Sequence, residues 1–370
     1  MMTDILRLIN VFFTKKIAFD IDLIPVVCEE VPYKKILNWI LTEGSVHIQP
    51  GKPLGFPTVL QVEPTTSCNL RCRICPVTTG MNRPSGHMAP SLFRKIVDEL
   101  SDYLLLILFW DWGEPFLNPY SCEMINYAHT RGIKVISSTN GHVFANGDHA
   151  REVVKSGLDV LVFSVDGTTQ ETYEMYRTSG KLDQVLEGIR KVKEQKKSQN
   201  SETPLINLRF IVMKHNEHEI PKLTSFARSV GVDNMTIRKY FSIPNSTLDE
   251  KTLGDSFMPS KTDFQLPELS GQDRQPVRIP NNLCKNLWNC PTIHWDGTVC
   301  SCFLDFNEER PLGNLEKESF KEIWYSRSYK DLRKSFRKKW QDLPLCKDCS
   351  CGFKGGDVGS ESNVEILFFS

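Results

Sequence analysis

The stretch that decides the fold is Glu63-Pro64-Thr65-Thr66-Ser67-Cys68-Asn69-Leu70-Arg71-Cys72-Arg73-Ile74-Cys75-Pro76. It follows an apolar run, Thr58–Val62, that reads as a strand, and its cysteines are spaced C-x3-C-x2-C. Thiolates are the natural ligands of iron–sulfur clusters. Three of them on one tight loop can hold three irons of a cubane and leave the fourth without a protein ligand. An open position of this kind distinguishes a reactive metal site from a closed structural one. The alternative is a zinc loop with a fourth ligand elsewhere. Zinc sites usually pair two C-x2-C halves, and this triplet does not.

Downstream of this loop, strand-like runs alternate with helical ones. The strands are expected at Thr58–Val62, Leu104–Trp110, Ile133–Ser137, Leu158–Val165, Ile206–Met213 and Asn234–Lys239. Amphipathic stretches lie between them at Leu92–Leu100, Ser121–Thr130, His149–Lys155, Leu182–Glu194 and Glu219–Val230. Runs that are nearly all apolar indicate parallel strands buried on both faces. Six strand–helix repeats predict an α/β fold, a partial (β/α)6 TIM-like barrel, with its chemistry at the carboxyl ends of the strands. The expected organisation is an accessory segment 1–56, a core barrel 57–240, a linker or covering loop 241–281 rich in Ser, Pro, Asp and Gln, a cysteine-rich domain 282–352 and a tail 353–370.

Lys plus Arg and Asp plus Glu are 45 each, so the formal net charge is zero and nothing points to nucleic acid or a membrane surface. The charged run Arg333–Lys339 is expected to be a solvated helix face. Residues Ile5–Phe13 are apolar, but Arg7 interrupts them and Lys15–Lys16 follow them, the reverse of an export signal. No uncharged apolar run approaches the roughly 20 residues that span a bilayer. A cytoplasmic location is expected. In that reducing compartment twelve cysteines argue for metal ligation rather than disulfides. Cys28 and Cys122 stand alone and are expected to be inert buried thiols.

Further motifs fall at strand ends. The second strand runs into Phe109-Trp110-Asp111-Trp112-Gly113-Glu114-Pro115, the third ends in Ser137-Ser138-Thr139-Asn140-Gly141 and the fourth in Phe163-Ser164-Val165-Asp166-Gly167. Small polar side chains there suit the hydroxyls of a ribose, although Asn-Gly and Asp-Gly are also ordinary turn pairs. Tyr176-Arg177 follows, and an Arg can hold a carboxylate with two parallel bonds. His215 ends the fifth strand, facing a substrate or serving structure. Seven cysteines follow position 280, in Cys284-x5-Cys290, Cys300-x-Cys302 and Cys346-x2-Cys349-x-Cys351. Asp296-Gly297 between two strand-like stretches predicts a hairpin that draws its flanking cysteines together.

The triplet resembles the signature of the radical S-adenosylmethionine (SAM) superfamily, and Gly113-Glu114-Pro115 resembles that family's GEP motif. The resemblance extends from Pro57 to Cys351. It implies an enzyme that cleaves SAM reductively, with Cys68, Cys72 and Cys75 as cluster ligands. It also implies that Gly113, Glu114, Asn140, Ser164, Asp166 and Arg177 line the SAM pocket, and that a donor such as flavodoxin or ferredoxin supplies the electron. Ile74 stands where the family often has an aromatic residue. Cys284-x12-Gly297-x4-Cys302 resembles the opening of the SPASM and twitch domains that follow many such barrels. Part of their two-cluster pattern is missing after Cys351. The expectation is therefore one auxiliary 4Fe–4S cluster, held by Cys284, Cys302, Cys346 and Cys349, giving two clusters in all. Cys290, Cys300 and Cys351 are surplus, and a zinc site from the same cysteines is the alternative.

Fold and cofactors leave the substrate open. One reading is oxidation or epimerisation of a small polar molecule such as an aminosugar or cyclitol. Epimerisation needs a thiol to return a hydrogen atom, for which Cys290 and Cys300 are candidates. A second reading is a maturase of a ribosomally made peptide; residues 1–56 show no winged-helix pattern of the kind that recognises such peptides. A non-catalytic metal-binding scaffold would need neither the GEP turn nor the open cluster position.

Overall fold

The computed structural model describes residues 9–240, 248–265, 284–347, 349 and 363–369. Cys351, and the parts of the expected linker and tail at 241–247, 266–281 and 353–362, lie outside the described residues. A hairpin of β1 (Ile17–Ile21) and β2 (Ile24–Cys28) and the helix Tyr33–Ile48 precede the main sheet. Six strands then run parallel, each beside the next: β3 (Val59–Val62), β4 (Leu106–Phe109), β5 (Lys134–Thr139), β6 (Val160–Ser164), β7 (Leu205–Ile211) and β8 (Asn234–Arg238).

Side chains alternate across such a sheet. Leu60, Ile107, Phe109, Leu161, Phe163 and Phe210 face the helices that connect the strands. Val59, Leu106, Leu108, Ile136, Val160 and Val162 face the other way and pack on Phe19, Ile21, Ile24 and Trp39 of the amino-terminal segment. The accessory segment thus covers the inner face of the open barrel. Its hairpin turns at Asp22 and Leu23, both with positive φ, which suits the twist of a two-residue hairpin. The inner face turns polar at β7 and β8, where Asn207, Arg209, Asn234 and Thr236 are buried. The hairpin tip answers that polarity: Asp22 pairs with Arg209 and, at 3.4 Å, with Arg238.

The sheet stays open and is extended at both edges. β9 (Thr292–Ile293) lies parallel to β3, β10 (Thr298–Cys300) returns antiparallel through the turn at Asp296-Gly297, and β11 (Gly313–Asn314) follows antiparallel. β12 (Asn363–Phe368) pairs antiparallel with β8, so the apolar end of the tail docks as an edge strand. Within the expected linker, Leu248–Ser256 is helical.

One sequence expectation fails in the helix Arg327–Lys339. Arg333 of the charged run is fully buried, with Nε donating to the Leu287 carbonyl at 2.9 Å and Nη1 to the Trp324 carbonyl at 2.9 Å. Its guanidinium stacks on Tyr329 and Trp324, so helical periodicity turned one member of the run inward. No helix among the described residues is long and apolar enough to cross a membrane.

Candidate active site

The cysteine loop leaves β3 at Val62, at the carboxyl end of the sheet. Its first half is stitched to the loop after β4: the Glu114 amide donates to the Ser67 carbonyl at 2.8 Å. Its second half is tied to the segment after β6, where the Arg71 and Arg73 amides donate to Thr178 and Tyr176 carbonyls at 3.1 and 3.2 Å. Cys75 caps the short helix Pro76–Thr79, whose proline sits in the first turn, where no amide donor is needed. Burial pushes the Cys68 thiol up to about 11 and the Cys75 thiol up to about 12, and each also feels the neighbouring Cys72 thiol. Burial raises Cys72 too, opposed by the Arg177 guanidinium. Thiols held this way stay protonated near neutral pH until a metal ion deprotonates them. Three convergent thiols fit the three protein-held corners of a cubane.

Gly113 has φ +102, and a Cβ there would sit 2.4 Å from the Thr65 carbonyl oxygen, so only glycine lets the two loops approach. Glu114 is buried, and its carboxylate accepts from Thr139 Oγ1 at 2.8 Å, the Asn140 amide at 2.7 Å and the Phe116 amide at 3.3 Å. Burial nevertheless raises its pKa to about 7. Asn140 Nδ2 donates to Asn69 Oδ1 at 2.7 Å and lies 3.9 Å from Cys68 Sγ. Ser164 Oγ sits 3.4 Å from Ser138 Oγ. Asp166 is engaged by its own chain: Arg177 Nε donates to Oδ2 at 2.7 Å and the Ile211 amide to Oδ1 at 2.9 Å. Arg177 is thus held on Asp166 and beside Cys72. Sequence reasoning missed Thr139 and Asn69, which fix Glu114 and Asn140; the only signal was their place inside the quoted strand-end motifs.

His215 follows β7. Both ring nitrogens are buried and without a hydrogen-bond partner, and the ring stands edge-on to Phe257 at 5.4 Å. Burial lowers its pKa, so it is neutral near pH 7. Phe257 packs with Met213, Tyr240, Ile74 and Tyr176, which joins the cysteine loop to the far side of the barrel.

The structure brings Cys284, Cys302, Cys346 and Cys349 together from three segments. Burial raises Cys302 first, with Cys349 and Cys284 adding to it, and raises Cys346 with help from Cys284 and Cys349. Asn286 Nδ2 donates to Cys302 Sγ at 3.3 Å. Four convergent thiols fit a closed cluster. Cys290 and Cys300 are 3% and 0% exposed, and Cys300 keeps company with Asp305 and Glu308 instead.

The profile of the Radical SAM superfamily matches residues 62–227. The chain belongs to the radical SAM superfamily. Residues 284–350 match the SPASM iron–sulfur cluster-binding domain. The radical SAM enzyme accordingly uses SAM and two iron–sulfur clusters. It is 26% identical over 315 residues to the tungsten-containing aldehyde ferredoxin oxidoreductase cofactor-modifying protein of Pyrococcus furiosus, covering 79% of this chain and 86% of that protein. It is 22% identical over 296 residues to the SAM-dependent 2-deoxy-scyllo-inosamine dehydrogenase of Niallia circulans, covering 79% of this chain and 92% of that one. Among solved structures, Streptococcus suis SuiB bound to precursor peptide SuiA has the same fold, with a TM-score of 0.58 at 16% identity, over 87% of this chain and 76% of that one.

Proposed function

We propose that this radical SAM enzyme oxidises a small polar substrate of the aminosugar or cyclitol class by two electrons. The observation that carries this reading is the different fate of the six described C-terminal cysteines. Four converge, as an electron-accepting cluster needs, while Cys290 and Cys300 are sealed in the core, where a thiol cannot return a hydrogen atom to a substrate. Among the described residues, oxidation therefore has its acceptor, while Cys290 and Cys300 give epimerisation no donor. The similarity to a dehydrogenase of a deoxyinosamine supports the substrate class.

When bound, SAM on the reduced first cluster supplies a hydrogen-abstracting radical, and the second cluster supplies an electron acceptor. Cys68, Cys72 and Cys75 are assigned as ligands of the first, and Cys284, Cys302, Cys346 and Cys349 as ligands of the second. Gly113, Glu114, Asn140 and Ser164 are assigned to the SAM pocket; Asp166 acts there by holding Arg177. Of the substrate's two hydrogens, one leaves as an atom and the other as a proton, with the remaining electron going to the acceptor. We assign the proton to His215, neutral near pH 7 and with no partner at either ring nitrogen. A peptide is the second reading, supported by the shared fold with SuiB, whose structure was solved bound to a precursor peptide.

The test is anaerobic incubation with SAM, a reductant and panels of aminosugars, cyclitols and peptides. The reading expects 5′-deoxyadenosine together with a small-molecule product lighter by two hydrogens. A product of unchanged mass and inverted configuration, or turnover of peptides alone, defeats it.

A further inference from the structure

A third set of metal-type donors lies where the barrel meets the auxiliary hairpin. Glu63 follows β3, Asp111 follows β4 and His294 follows β9, and these three strands are neighbours in the sheet. One ligand atom from each lies within 4.8 Å of the others. The side chains of Glu63 and His294 are 0% exposed and that of Asp111 is 2% exposed. His294 Nε2 and Asp111 Oδ2 have no hydrogen-bond partner, yet they face each other at 3.7 Å. That is too long for a hydrogen bond. It is close to the edge of a coordination tetrahedron with metal–ligand bonds of about 2.0–2.2 Å.

The surroundings match what a bound ion requires. His294 Nδ1 bonds Glu308 Oε1 at 2.8 Å, and Gln61 Nε2 donates to Asp111 Oδ1 at 3.2 Å. A metal-bound histidine gives its other ring N–H to a carboxylate, and ligating carboxylates are themselves hydrogen-bonded. With its proton on Nδ1, His294 presents the Nε2 lone pair to Asp111. Arg83 and the Trp295 amide occupy the outer lone pairs of Glu63 and leave one on Oε2. The charges do not balance: Glu63, Asp111 and Glu308 face one cation, Arg83, which bonds Glu63 and lies 3.5 Å from Glu308. A buried excess of negative charge is unfavourable unless a cation joins it.

We propose that Glu63, Asp111 and His294 form a third metal site, which takes a divalent transition ion of the zinc class through one nitrogen and two oxygens. Imidazole and carboxylate donors suit such an ion. It fastens the auxiliary hairpin, through His294, to the strand that leads into Cys68 and to the strand that leads into Glu114. The ion is chemically distinct from both clusters, because no thiolate holds it.

The test is made on the full enzyme with both clusters, expressed with zinc, purified anaerobically and desalted. Elemental analysis is expected to find about one zinc per chain, with only nitrogen and oxygen neighbours at about 2.0–2.2 Å by zinc-edge X-ray absorption. Asp111→Asn is expected to lose the zinc and keep its iron. Glu308→Gln, which leaves all three proposed ligands in place but weakens the partner of His294, is expected to weaken zinc binding by about 10–100-fold. Native enzyme that retains no zinc overturns the proposal, as does zinc with sulfur neighbours at about 2.3 Å.

Discussion

Cys68, Cys72 and Cys75 sit on one loop, whereas Cys284, Cys302, Cys346 and Cys349 are gathered from a segment before a hairpin, the hairpin's exit and a helix end. The two groups present the same thiol chemistry in opposite architectures. A single short loop can deliver three thiols but leaves one iron free, which SAM chemistry needs. Three segments can close around a cluster, but only once the domain is packed. Trp288 and Trp324 anchor that packing by donating to the Pro50 and Gly55 carbonyls at 2.9 and 3.0 Å, so the closed group depends on contacts with the amino-terminal segment. The open group depends instead on its immediate neighbours, Glu114 and Arg177.

The hardest blow to this contrast is the triple change of Cys68, Cys72 and Cys75 to Ala. It is expected to abolish 5′-deoxyadenosine formation and to lower iron from about eight to about four per chain, four for each cubane. Retained SAM cleavage would show that the open site lies elsewhere. Next comes Cys302→Ala, which is expected to lose about four irons and oxidised product while SAM cleavage persists. The control Cys300→Ala should leave iron unchanged; iron loss there would redraw the tetrad.

A smaller effect is expected at His215, which belongs to neither group. His215→Phe should lower the rate of substrate oxidation by about 100-fold, the scale of general-base catalysis, with the thermal midpoint nearly unchanged. An unaltered rate would make this histidine a packing residue. The finest effect is at Glu114. Glu114→Gln leaves an acceptor for Thr139 but turns an N–H toward the Asn140 amide. We expect SAM affinity to fall by about 1–3 kcal/mol, read by equilibrium binding, with the iron content intact. Unchanged affinity would confine Glu114 to bracing the β5 end.

The physical reason that the two groups differ in legibility is sequence separation. The C-x3-C-x2-C spacing fixes a loop by itself, and the six apolar runs fix parallel strands because burial on both faces leaves no other composition. Strand limits shifted only at the ends: the run Leu104–Trp110 became β4 at Leu106–Phe109. The Asp296-Gly297 turn was equally readable, since Gly297 takes a positive φ there.

Position in the chain could not reveal what distant segments do to one another. Asp22 lies in the accessory segment, and only the folded sheet shows it buried against Arg209 and Arg238. Arg177 reads as a ligand-binding arginine, and only the fold places Asp166 against it. Glu63, Asp111 and His294 stand inside quoted motifs without any shared spacing, because strand order rather than sequence makes them neighbours. The sequence alone therefore determined the chemistry of the cysteine loop and the parallel α/β core, both products of local spacing and composition. The tertiary structure alone decided which polar groups share a buried space, because the cost of burying a charge depends on the partner brought to it across the sheet.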